Sequence, residues 1–364
     1  MIGSCEPFSG KSALVLGIAR YLISCKKEVR LGKPLATTIE LKPEAYTADL
    51  KLIDDDVRFI GETLGLSDKQ LIPSIDFLSA AIAERRFTDS NLEPGLGFEA
   101  FHKQIDKPFE GINVLEAAGS LHEGLLYGLS LVEVAKKLDI PVLLVHLWRD
   151  SRSVDDLLEA KNQLREHFAG VILNAVTPGE ISEIKSKVIP ALNRLGIEVY
   201  GVMPRSPLLR SVTVEELARR LEARVICCSE KVDLLVETLS IGAMGVNSAM
   251  EFFRKRRNMA VVTGVDRTDL QLAALEASTQ CLILTGVGDP LPQLVNRAEE
   301  LDVPLLRVDR DTLSTVEVIE NAFGHVRLNE SVKASYAFRL VEEYCDLKRL
   351  FKILDSNSKF HVRC

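Results

Sequence analysis

The sequence lacks the features that would place it in a membrane or outside the cell. Its longest apolar run falls far short of the ~18 residues that a membrane-spanning helix needs. The N-terminus has no basic region, and glycine, proline and lysine interrupt its apolar stretch, which is not typical of a secretory signal. We therefore expect a cytoplasmic protein with no membrane partner.

The chain also lacks the residue clusters that hold disulfides, zinc or a hydrolytic serine. Its seven cysteines are scattered and odd in number, and no CxxC pair occurs. Its six histidines form no local pair at metal-ligand spacing, and no Gly-x-Ser-x-Gly segment is present. These absences argue against a disulfide framework, a zinc site and a serine hydrolase.

An excess of positive charge is missing as well. The formal net charge is −7 and the pI is near 5.6, which argues against a nucleic-acid partner held by a general positive field. Apolar residues make up 46% and charged residues 27%, as in an ordinary globular protein. A length of 364 residues suggests two domains and a tail.

What is present in the first two hundred residues is an alternation of buried strands and amphipathic helices. Residues 140–146 and 170–176 are continuous Val/Ile/Leu strands, and residues 13–23 and 153–168 have helical periodicity. Such strands between amphipathic helices predict a parallel sheet covered on both faces. The predicted fold is a doubly wound α/β domain.

The pattern changes between residues 205 and 225, and a second βαβ series follows. Residues 332–354 then predict one long amphipathic helix of mixed charge. We therefore predict a P-loop doubly wound parallel sheet, a smaller α/β domain and a C-terminal helix with a tail. The predicted boundaries are residues 1–210, 211–330 and 331–364.

The segment from Ser4 to Ser12 carries the clearest chemistry. Gly10 lets the backbone approach a phosphate, Lys11 supplies a point charge, and the Ser12 hydroxyl can bind Mg²⁺. A helix follows and a short strand precedes, which is the context of a P-loop. Cys5 stands where the standard spacing has its first glycine. The alternative is a tight strand–helix turn in which the same residues are structural.

Two acidic features could complete a metal site. Residues 54–56 are three consecutive aspartates, which either direct a carboxylate at Mg²⁺ or simply cap the helix that follows. Glu116 ends an apolar strand, and the carboxyl end of such a strand is the ligand edge of the sheet. Lys33 follows the second strand and points to the same edge. Mg²⁺ prefers a few carboxylates together with phosphate oxygens.

Together these segments resemble the dethiobiotin synthetase-like P-loop family, and more closely the N-terminal half of long phosphotransacetylases. That half joins a P-loop domain to a DRTGG domain, and the resemblance covers roughly residues 1–330. It implies ATP and Mg²⁺ as cofactors, with Asn174 recognising adenine. The implied nucleotide-binding residues are Glu6, Pro7, Phe8, Ser9, Gly10, Lys11, Ser12, Lys33, Thr37, Gly119, Asn174 and Pro204, and the implied metal ligands are Ser12, Asp56 and Glu116.

The sequence departs from these families on the substrate side. Residues 6–9 replace the family's own loop residues, and residues 73–107 have no recognisable counterpart in dethiobiotin synthetases. Only about 34 residues follow residue 330, too few for a phosphotransacetylase catalytic domain. We therefore expect neither carboxylation nor acetyl transfer to phosphate, and catalytic residues stay unassigned.

The second domain carries a variant of the DRTGG motif. Residues 263–269 occupy its place after a strand, with Asp269 and Leu270 replacing the final glycines. The resemblance implies a dimerising or ligand-sensing module, hence a homo-oligomer with a small-molecule effector. The alternative for Asp266 and Arg267 is a local turn with a capping ion pair.

Three functions are compatible with this sequence. The first is an ATP/Mg-binding regulatory protein that couples nucleotide binding to metabolite sensing or oligomerisation. The second is an ATP-dependent ligase-type enzyme acting on a small carboxylate or amine, so that weak ATPase or ligase activity stays open. The third is a scaffold with a vestigial P-loop. The nearly complete phosphate site without a recognisable acceptor site favours the first.

Overall fold

The chain forms two compact units in a computed structural model that describes residues 1–39, 52–95, 97–106, 109–242, 246–277 and 279–356. Met1–Arg205 and Arg327–Cys364 make the first unit, and Ser206–Val326 makes the second. The described part of the C-terminal segment, which the sequence analysis set apart as residues 331–364, thus lies in the first unit.

A parallel sheet organises the first unit. Its strands run in the order β4-β2-β6 and β1-β7-β8-β9, and a parallel bridge between Ile2 and Glu116 joins the two groups. The two-residue strands β3 and β5 pair separately. The strands are β1 (Ile2–Ser4), β2 (Glu28–Gly32), β3 (Leu35–Ala36), β4 (Leu71–Ile72), β5 (Asp76–Phe77), β6 (Gly111–Leu115), β7 (Val142–Leu147), β8 (Phe168–Val176) and β9 (Val199–Pro204).

Helices cover both faces of this sheet, because its strands are apolar on both sides. Local signals set their ends: Ser130 and Glu133 form a capping box at α5, and Gly65 ends α2 in the left-handed region at φ 68°. The helices are α1 (Lys11–Ser24), α2 (Asp55–Leu64), α3 (Ala80–Thr88), α4 (Gly97–Asp106), α5 (Leu131–Leu138), α6 (Val154–Leu164), α7 (Ile181–Glu183) and α8 (Ile189–Arg194).

The second unit is a smaller α/β layer structure with a five-stranded sheet in the order β11-β16-β15-β14-β13. Only β11 in that sheet runs antiparallel, and apolar clusters fill both faces. Its elements are α9 (Pro207–Arg210), β10 (Val212–Thr213), α10 (Val214–Leu221), β11 (Arg224–Cys227), β12 (Leu235–Val236), β13 (Thr238–Ile241), α11 (Val246–Phe253), β14 (Met259–Gly264), α12 (Thr268–Leu275), β15 (Thr279–Thr285), α13 (Pro292–Glu300), β16 (Leu305–Arg307) and α14 (Thr312–Ala322).

The C-terminal segment returns to the first unit as two helices, α15 (Ser331–Tyr344) and α16 (Leu347–Ser356). The prediction of one helix over residues 332–354 is wrong. Cys345 is extended and forms an antiparallel bridge with Gly201 of β9, and Asp346 N donates to Tyr200 O at 2.7 Å. The hydrogen bonds that Cys345 and Asp346 gain by pairing with β9 therefore replace those of a continuous helix at these two residues.

The predicted fold class is confirmed: a doubly wound parallel sheet precedes a smaller α/β unit, with helices at the C-terminus. Among the described residues, every helix is too short or too polar to cross a lipid bilayer. The parallel strands of the first unit bring their carboxyl ends to one edge of the sheet.

Candidate functional site

The carboxyl edge of the first sheet gathers most of the predicted site residues. The loop that begins at Ser4 follows β1, Lys33 follows β2, and Glu116 follows β6. Asn174 lies near the end of β8. These strands are parallel, so residues far apart in the sequence meet at one edge.

The loop between β1 and α1 surrounds the side chain of Lys11. Two of its residues take left-handed backbone conformations, Phe8 at φ 53° and Gly10 at φ 99°. Lys11 is buried, and its Nζ donates to Ser4 Oγ at 3.0 Å and to the carbonyl of Gly119 at 2.8 Å. Burial lowers the pKa of Lys11, although the Glu116 carboxylate partly opposes that effect.

Asn174 holds the loop from the side of β8. Its Nδ2 donates to the Ser9 carbonyl at 2.7 Å, and its Oδ1 accepts from Ala175 N at 2.8 Å. A Cβ atom on Gly10 would collide with Asn174 Nδ2. Glycine at this position is therefore required twice, by its φ angle and by the approach of Asn174.

Lys33 is the centre of a buried charge cluster next to the loop. Its Nζ donates to Asp56 at 2.9 Å, to Asp54 at 3.3 Å and to Thr37 Oγ1 at 2.7 Å, and it lies 3.9 Å from Glu116 Oε1. Burial lowers the pKa of Lys33, but Glu116, Asp56 and Asp54 together outweigh burial and raise that pKa above its ordinary value.

The three consecutive aspartates take different roles. Asp54 caps α2 by accepting from Asp56 N at 2.9 Å, and it also accepts from the backbone of Thr37 at 2.8 Å and Thr38 at 3.2 Å. The carboxylate of Asp56 faces Lys33. Both sequence alternatives thus occur in one turn: Asp54 is the cap, and Asp56 is directed at the site.

Glu116 connects the charge cluster to the P-loop helix. Its Oε1 accepts from Ser12 Oγ at 3.0 Å, and its Oε2 is buried without a hydrogen-bond partner among the described residues. Burial raises the pKa of Glu116 to about 7, although Lys33 opposes this. A buried carboxylate oxygen with no partner is costly, so this atom suits a ligand that supplies positive charge.

The predicted metal ligands fit a hard cation by their chemistry. Ser12, Asp56 and Glu116 offer only oxygen atoms, which Mg²⁺ prefers alongside phosphate oxygens and water. Lys33 contacts both carboxylates. Within the part of the chain that the structure describes, no group of three or more His, Cys, Asp or Glu side chains is arranged as a ready metal cluster.

The other predicted loop residues differ in their exposure. Phe8 is 50% exposed, whereas Ser9 is buried. Glu6 pairs with Arg149, which follows β7, and Pro7 is exposed. Pro204 is placed apart from the loop, because it ends β9, which β7 and β8 separate from β1.

Two residues that support the site, Glu123 and Arg149, were not predicted, and Ser4 was predicted only as the start of the loop. Ser4 accepts a hydrogen bond from Lys11, Glu123 accepts one from the amide of Gly119, and Arg149 pairs with Glu6. Arg149 could have been found because it lies three residues after the predicted buried strand at residues 140–146. The hydrogen bond that Ser4 accepts and the one that Glu123 accepts carry no comparable signal, since both depend on turns that the sequence does not specify.

The motif in the second unit forms a turn at the end of β14. Arg267 N donates to the Gly264 carbonyl at 3.2 Å, and Gln271 Nε2 donates to the same carbonyl at 2.7 Å. Residues 243–245, which lie shortly after β13, are outside the described part of the chain. An effector bound at this edge of the second unit stays a prediction.

Comparison with known families matches both units. Residues 1–213 match the model of an AAA domain, and residues 216–322 match the DRTGG domain. A solved structure of the CBS and DRTGG domains of Clostridium perfringens pyrophosphatase, complexed with its activator diadenosine tetraphosphate, is 14% identical, with a TM-score of 0.28 over 48% of this chain and 70% of that chain.

Three phosphate acetyltransferases are similar in sequence. The Nitratidesulfovibrio vulgaris protein is 23% identical over 96% of this chain and 50% of its own length. The Synechocystis protein is 25% identical over 61% of this chain and 34% of its own length. The Deinococcus radiodurans protein is 25% identical over 84% of this chain and 44% of its own length. The chain thus spans at most about half the length of these relatives. The resemblance inferred from the sequence is confirmed. This chain belongs to the AAA domain family of P-loop proteins; its AAA domain is followed by a DRTGG domain, and the chain is related to phosphate acetyltransferases.

Proposed function

We propose that this protein binds ATP with Mg²⁺ at its P-loop and uses nucleotide occupancy as a regulatory signal. The observation that carries the proposal is the buried cluster around Lys33, which joins the end of β6 to the start of α2. Glu116 connects this cluster to Ser12 at the start of α1. Bound phosphates and Mg²⁺ would compete for the charged groups that now neutralise one another. Nucleotide binding would therefore change the contacts of α2 as well as those of the loop.

Each part of the nucleotide has candidate contacts on this edge. Lys11 and the first amides of α1 would receive the phosphates, as at other helix N-termini that follow P-loops. Ser12, Asp56 and Glu116 would hold Mg²⁺, which neutralises phosphate charge. Asn174 and Pro204 are assigned to the base by family resemblance alone.

The signal would pass through the exchange of ion-pair partners. Asp54 and Asp56 lie at the first turn of α2, and Asp54 also fixes the backbone of Thr37 and Thr38. If Mg²⁺ takes Asp56, Lys33 is released toward the phosphates, and the position of α2 relative to that backbone changes. Only a ligand with different affinities for the two arrangements can shift their populations.

An ATP-dependent ligase is the second candidate. The carboxylates around Lys33 raise its pKa, so that it keeps a positive charge that could neutralise a transferring phosphoryl group. The expected absence of a family-like acceptor segment in residues 73–107 is the reason for ranking this candidate second. The proposal further includes a homo-oligomer in the cytoplasm, with a small-molecule effector at the DRTGG domain.

Calorimetric titration with Mg-ATP tests nucleotide binding directly. We expect saturable binding to the wild type and at least tenfold weaker binding to Lys11→Ala, because a desolvated cation opposite phosphate is lost. Lys136→Ala, an exposed lysine on α5, is the matched control and should bind like the wild type. Absence of binding by the wild type would leave only the scaffold.

Turnover separates the regulator from the ligase. For a regulator we expect slow release of ADP that small carboxylates and amines do not stimulate, together with changed amide hydrogen exchange in α2 on addition of Mg-ATP. Stimulated ADP release would instead favour the ligase. Sedimentation velocity with and without Mg-ATP reports whether occupancy is coupled to assembly, and a monomer under both conditions contradicts the oligomeric part of the proposal.

A further inference from the structure

Two consecutive cysteines stand at the end of β11, the antiparallel edge strand of the second unit: Cys227 is the last residue of the strand and Cys228 follows it. Side chains of consecutive residues in a regular strand point to opposite faces of the sheet. Here the pairing with β16 shifts register between Val225 and Cys227, and Cys228 takes the left-handed conformation at φ 55° and ψ 43°. That conformation is uncommon for a residue other than glycine, so the chain turns sharply where the two thiols stand.

Both thiols face the same turn as a result. Cys227 Sγ lies 3.9 Å from the Val303 carbonyl, and Cys228 Sγ lies 3.8 Å from the Ala298 carbonyl. These two acceptors belong to the turn that ends α13, in which Val303 N donates to the Ala298 carbonyl at 2.9 Å. The two thiols also hydrogen-bond to each other. Their side chains converge, which is the condition that two cysteines must meet to be bridged.

The two cysteines differ in their exposure to solvent. Cys227 is buried, with 7% of its surface exposed, whereas Cys228 is half-buried. A small molecule in solution therefore meets Cys228 first. Cys227 needs no solvent access of its own, because its sulfur is already in contact with that of its neighbour. This arrangement favours a reaction in two steps, which begins at Cys228 and ends between the two sulfurs.

The acidity of the two thiols sets the pace of such a reaction. Burial raises the pKa of Cys227 to about 12, and it also raises the pKa of Cys228. Each unit of increase lowers the thiolate fraction about tenfold but makes the thiolate about threefold more nucleophilic, so the net loss of rate is modest. Contact between the two sulfurs offsets the loss at Cys227, because the second step is intramolecular. The pair is therefore slow to react at neutral pH, but it is not inert.

Carboxylates surround the more exposed thiol. Burial has the largest effect on the pKa of Cys228, and the negative charges of Glu230, Asp302 and Glu299 raise that pKa further. Lys231 pairs with Asp302 at 3.7 Å and offsets one of these charges. An acidic surrounding repels anionic reagents and attracts cationic ones. It therefore favours a reagent that carries ammonium groups over one that carries carboxylates.

We propose that Cys227 and Cys228 form a site of reversible oxidation, at which a small cationic disulfide converts the two thiols into one vicinal disulfide. The Cys228 thiolate attacks the reagent, forms a mixed disulfide with it and releases one thiol. The Cys227 thiolate then attacks the Cys228 sulfur and releases the second thiol. The pair loses two electrons and two protons, and the reagent gains them, so that one disulfide is exchanged for another.

The bond formed in this way is easily reopened. The Cα atoms of consecutive residues are about 3.8 Å apart, less than in most disulfides, so the vicinal bond is strained and excess thiol reduces it. Oxidation also removes both thiol protons, and neither sulfur can then donate to the turn formed by Ala298 and Val303. The reaction therefore changes the contacts at the end of α13.

The test is incubation of the reduced full chain with cystamine near pH ~8.5, followed by N-ethylmaleimide in urea and digestion with trypsin. Cleavage after Arg224 and Lys231 places both thiols in one peptide, residues 225–231, which contains no other cysteine. We expect this peptide to carry neither maleimide nor cysteamine and to be lighter than the reduced peptide by two hydrogen atoms. The exposed Cys25 should instead carry cysteamine, which shows that the reagent was active. A peptide 225–231 that takes up two maleimides while Cys25 is modified would overturn the proposal.

Single substitutions and an unfolded control test the two steps and the role of the fold. Cys227→Ser should stop at a cysteamine adduct on Cys228, whereas Cys228→Ser should leave Cys227 unmodified. In urea the ratio of vicinal disulfide to cysteamine adducts on this peptide should be at least about fivefold lower than in the folded chain, because the thiols are no longer held together. Equal ratios would overturn the role of the fold. Lys11→Ala should form the vicinal disulfide like the wild type, so failure of the nucleotide proposal and failure of this one are distinguishable.

Discussion

Asn174 and Ser9 are 165 residues apart, yet the Asn174 side chain donates to the Ser9 carbonyl at 2.7 Å. This bond fixes the P-loop from the end of β8. Both polar atoms of the Asn174 amide are bonded to backbone, Oδ1 to Ala175 N. Recognition of adenine by Asn174 stays a prediction that a nucleotide complex would test.

The collision between Gly10 and Asn174 predicts a non-additive pair of substitutions. Gly10→Ala should destabilise the first unit by about 2–3 kcal/mol, because φ 99° disfavours alanine and the new methyl group meets Asn174 Nδ2. In an Asn174→Ala background only the backbone strain remains, so the cost of Gly10→Ala should fall to about 1 kcal/mol. Urea unfolding followed by the fluorescence of Trp148, the single tryptophan, which lies in the first unit, measures both. Equal costs in the two backgrounds would show that Asn174 does not limit the space at Gly10.

Removing Lys33 should be far more harmful than removing Lys11, although both lysines are buried. Lys33→Met leaves Asp54, Asp56 and Glu116 without their shared cation, and we expect a loss of about 3–5 kcal/mol. Lys11→Met removes a cation whose close partners are a hydroxyl and a carbonyl, and we expect a loss of at most about 1–2 kcal/mol. Urea unfolding at neutral pH gives both values.

The pH dependence of the stability of Lys33→Met provides a control for this prediction. Without Lys33 the clustered carboxylates should hold protons more tightly, so the difference in unfolding free energy between Lys33→Met and wild type should shrink as the pH falls toward 5. A difference that does not change with pH would show that packing of the lysine stem, rather than its charge, is responsible.

Glu116 predicts a decline in stability with rising pH. The pKa of this side chain is about 7 in the folded protein and near 4.5 when unfolded. Between these values the folded state binds a proton that the unfolded state has lost, so stability falls as pH rises through this window and levels off above it. Glu116→Gln cannot ionise and should lack this decline.

Paired unfolding measurements from pH 4.5 to 8 test this expectation, because other titrating groups largely cancel between the two proteins. The stability of Glu116→Gln relative to wild type should increase over this interval by an amount on the order of 3 kcal/mol. Glu62→Gln, on the exposed side of α2, should follow the wild type. A constant difference between Glu116→Gln and wild type would contradict a raised pKa.

The effect of Gly17→Ala on stability should change sign with the residue that faces Gly17 from α15. Its position would place a Cβ atom 2.5 Å from the Cβ of Val341 on α15. Alanine is a better helix former than glycine by about 1 kcal/mol, yet Gly17→Ala should destabilise by about 1–2 kcal/mol, since the contact with α15 outweighs propensity. In a Val341→Gly background, which removes that Cβ atom as well as the two methyl groups, the same substitution should become neutral or stabilising. A stabilising effect in the wild-type background would show that α15 does not pack closely on α1 in solution.

The sequence allowed the fold class and the edge of the sheet to be predicted, because buried strands and parallel topology leave strong local patterns. Residues 140–146 and 170–176 were expected as strands, and β7 and β8 occupy those positions with ends shifted by one or two residues. Lys33, Asp56 and Glu116 were expected at one edge, and they lie together there.

What could not be predicted depends on contacts between distant segments. The break at Cys345 follows from pairing with Gly201, and amphipathic periodicity continues through it. Asp54 caps the helix and Asp56 faces the site because of where Thr37 and Lys33 lie in space. Neither relationship leaves a signal within a short window of sequence.

The return of α15 and α16 to the first unit has a consequence for how the chain folds as it is made. Residues 206–326 are synthesised between the P-loop sheet and the helices that cover α1. During synthesis the second unit can therefore complete its own core first, whereas the first unit, although it begins at the N-terminus, gains its last packing layer only when α15 and α16 have emerged. The order of domain completion is the reverse of the order in which the two units begin.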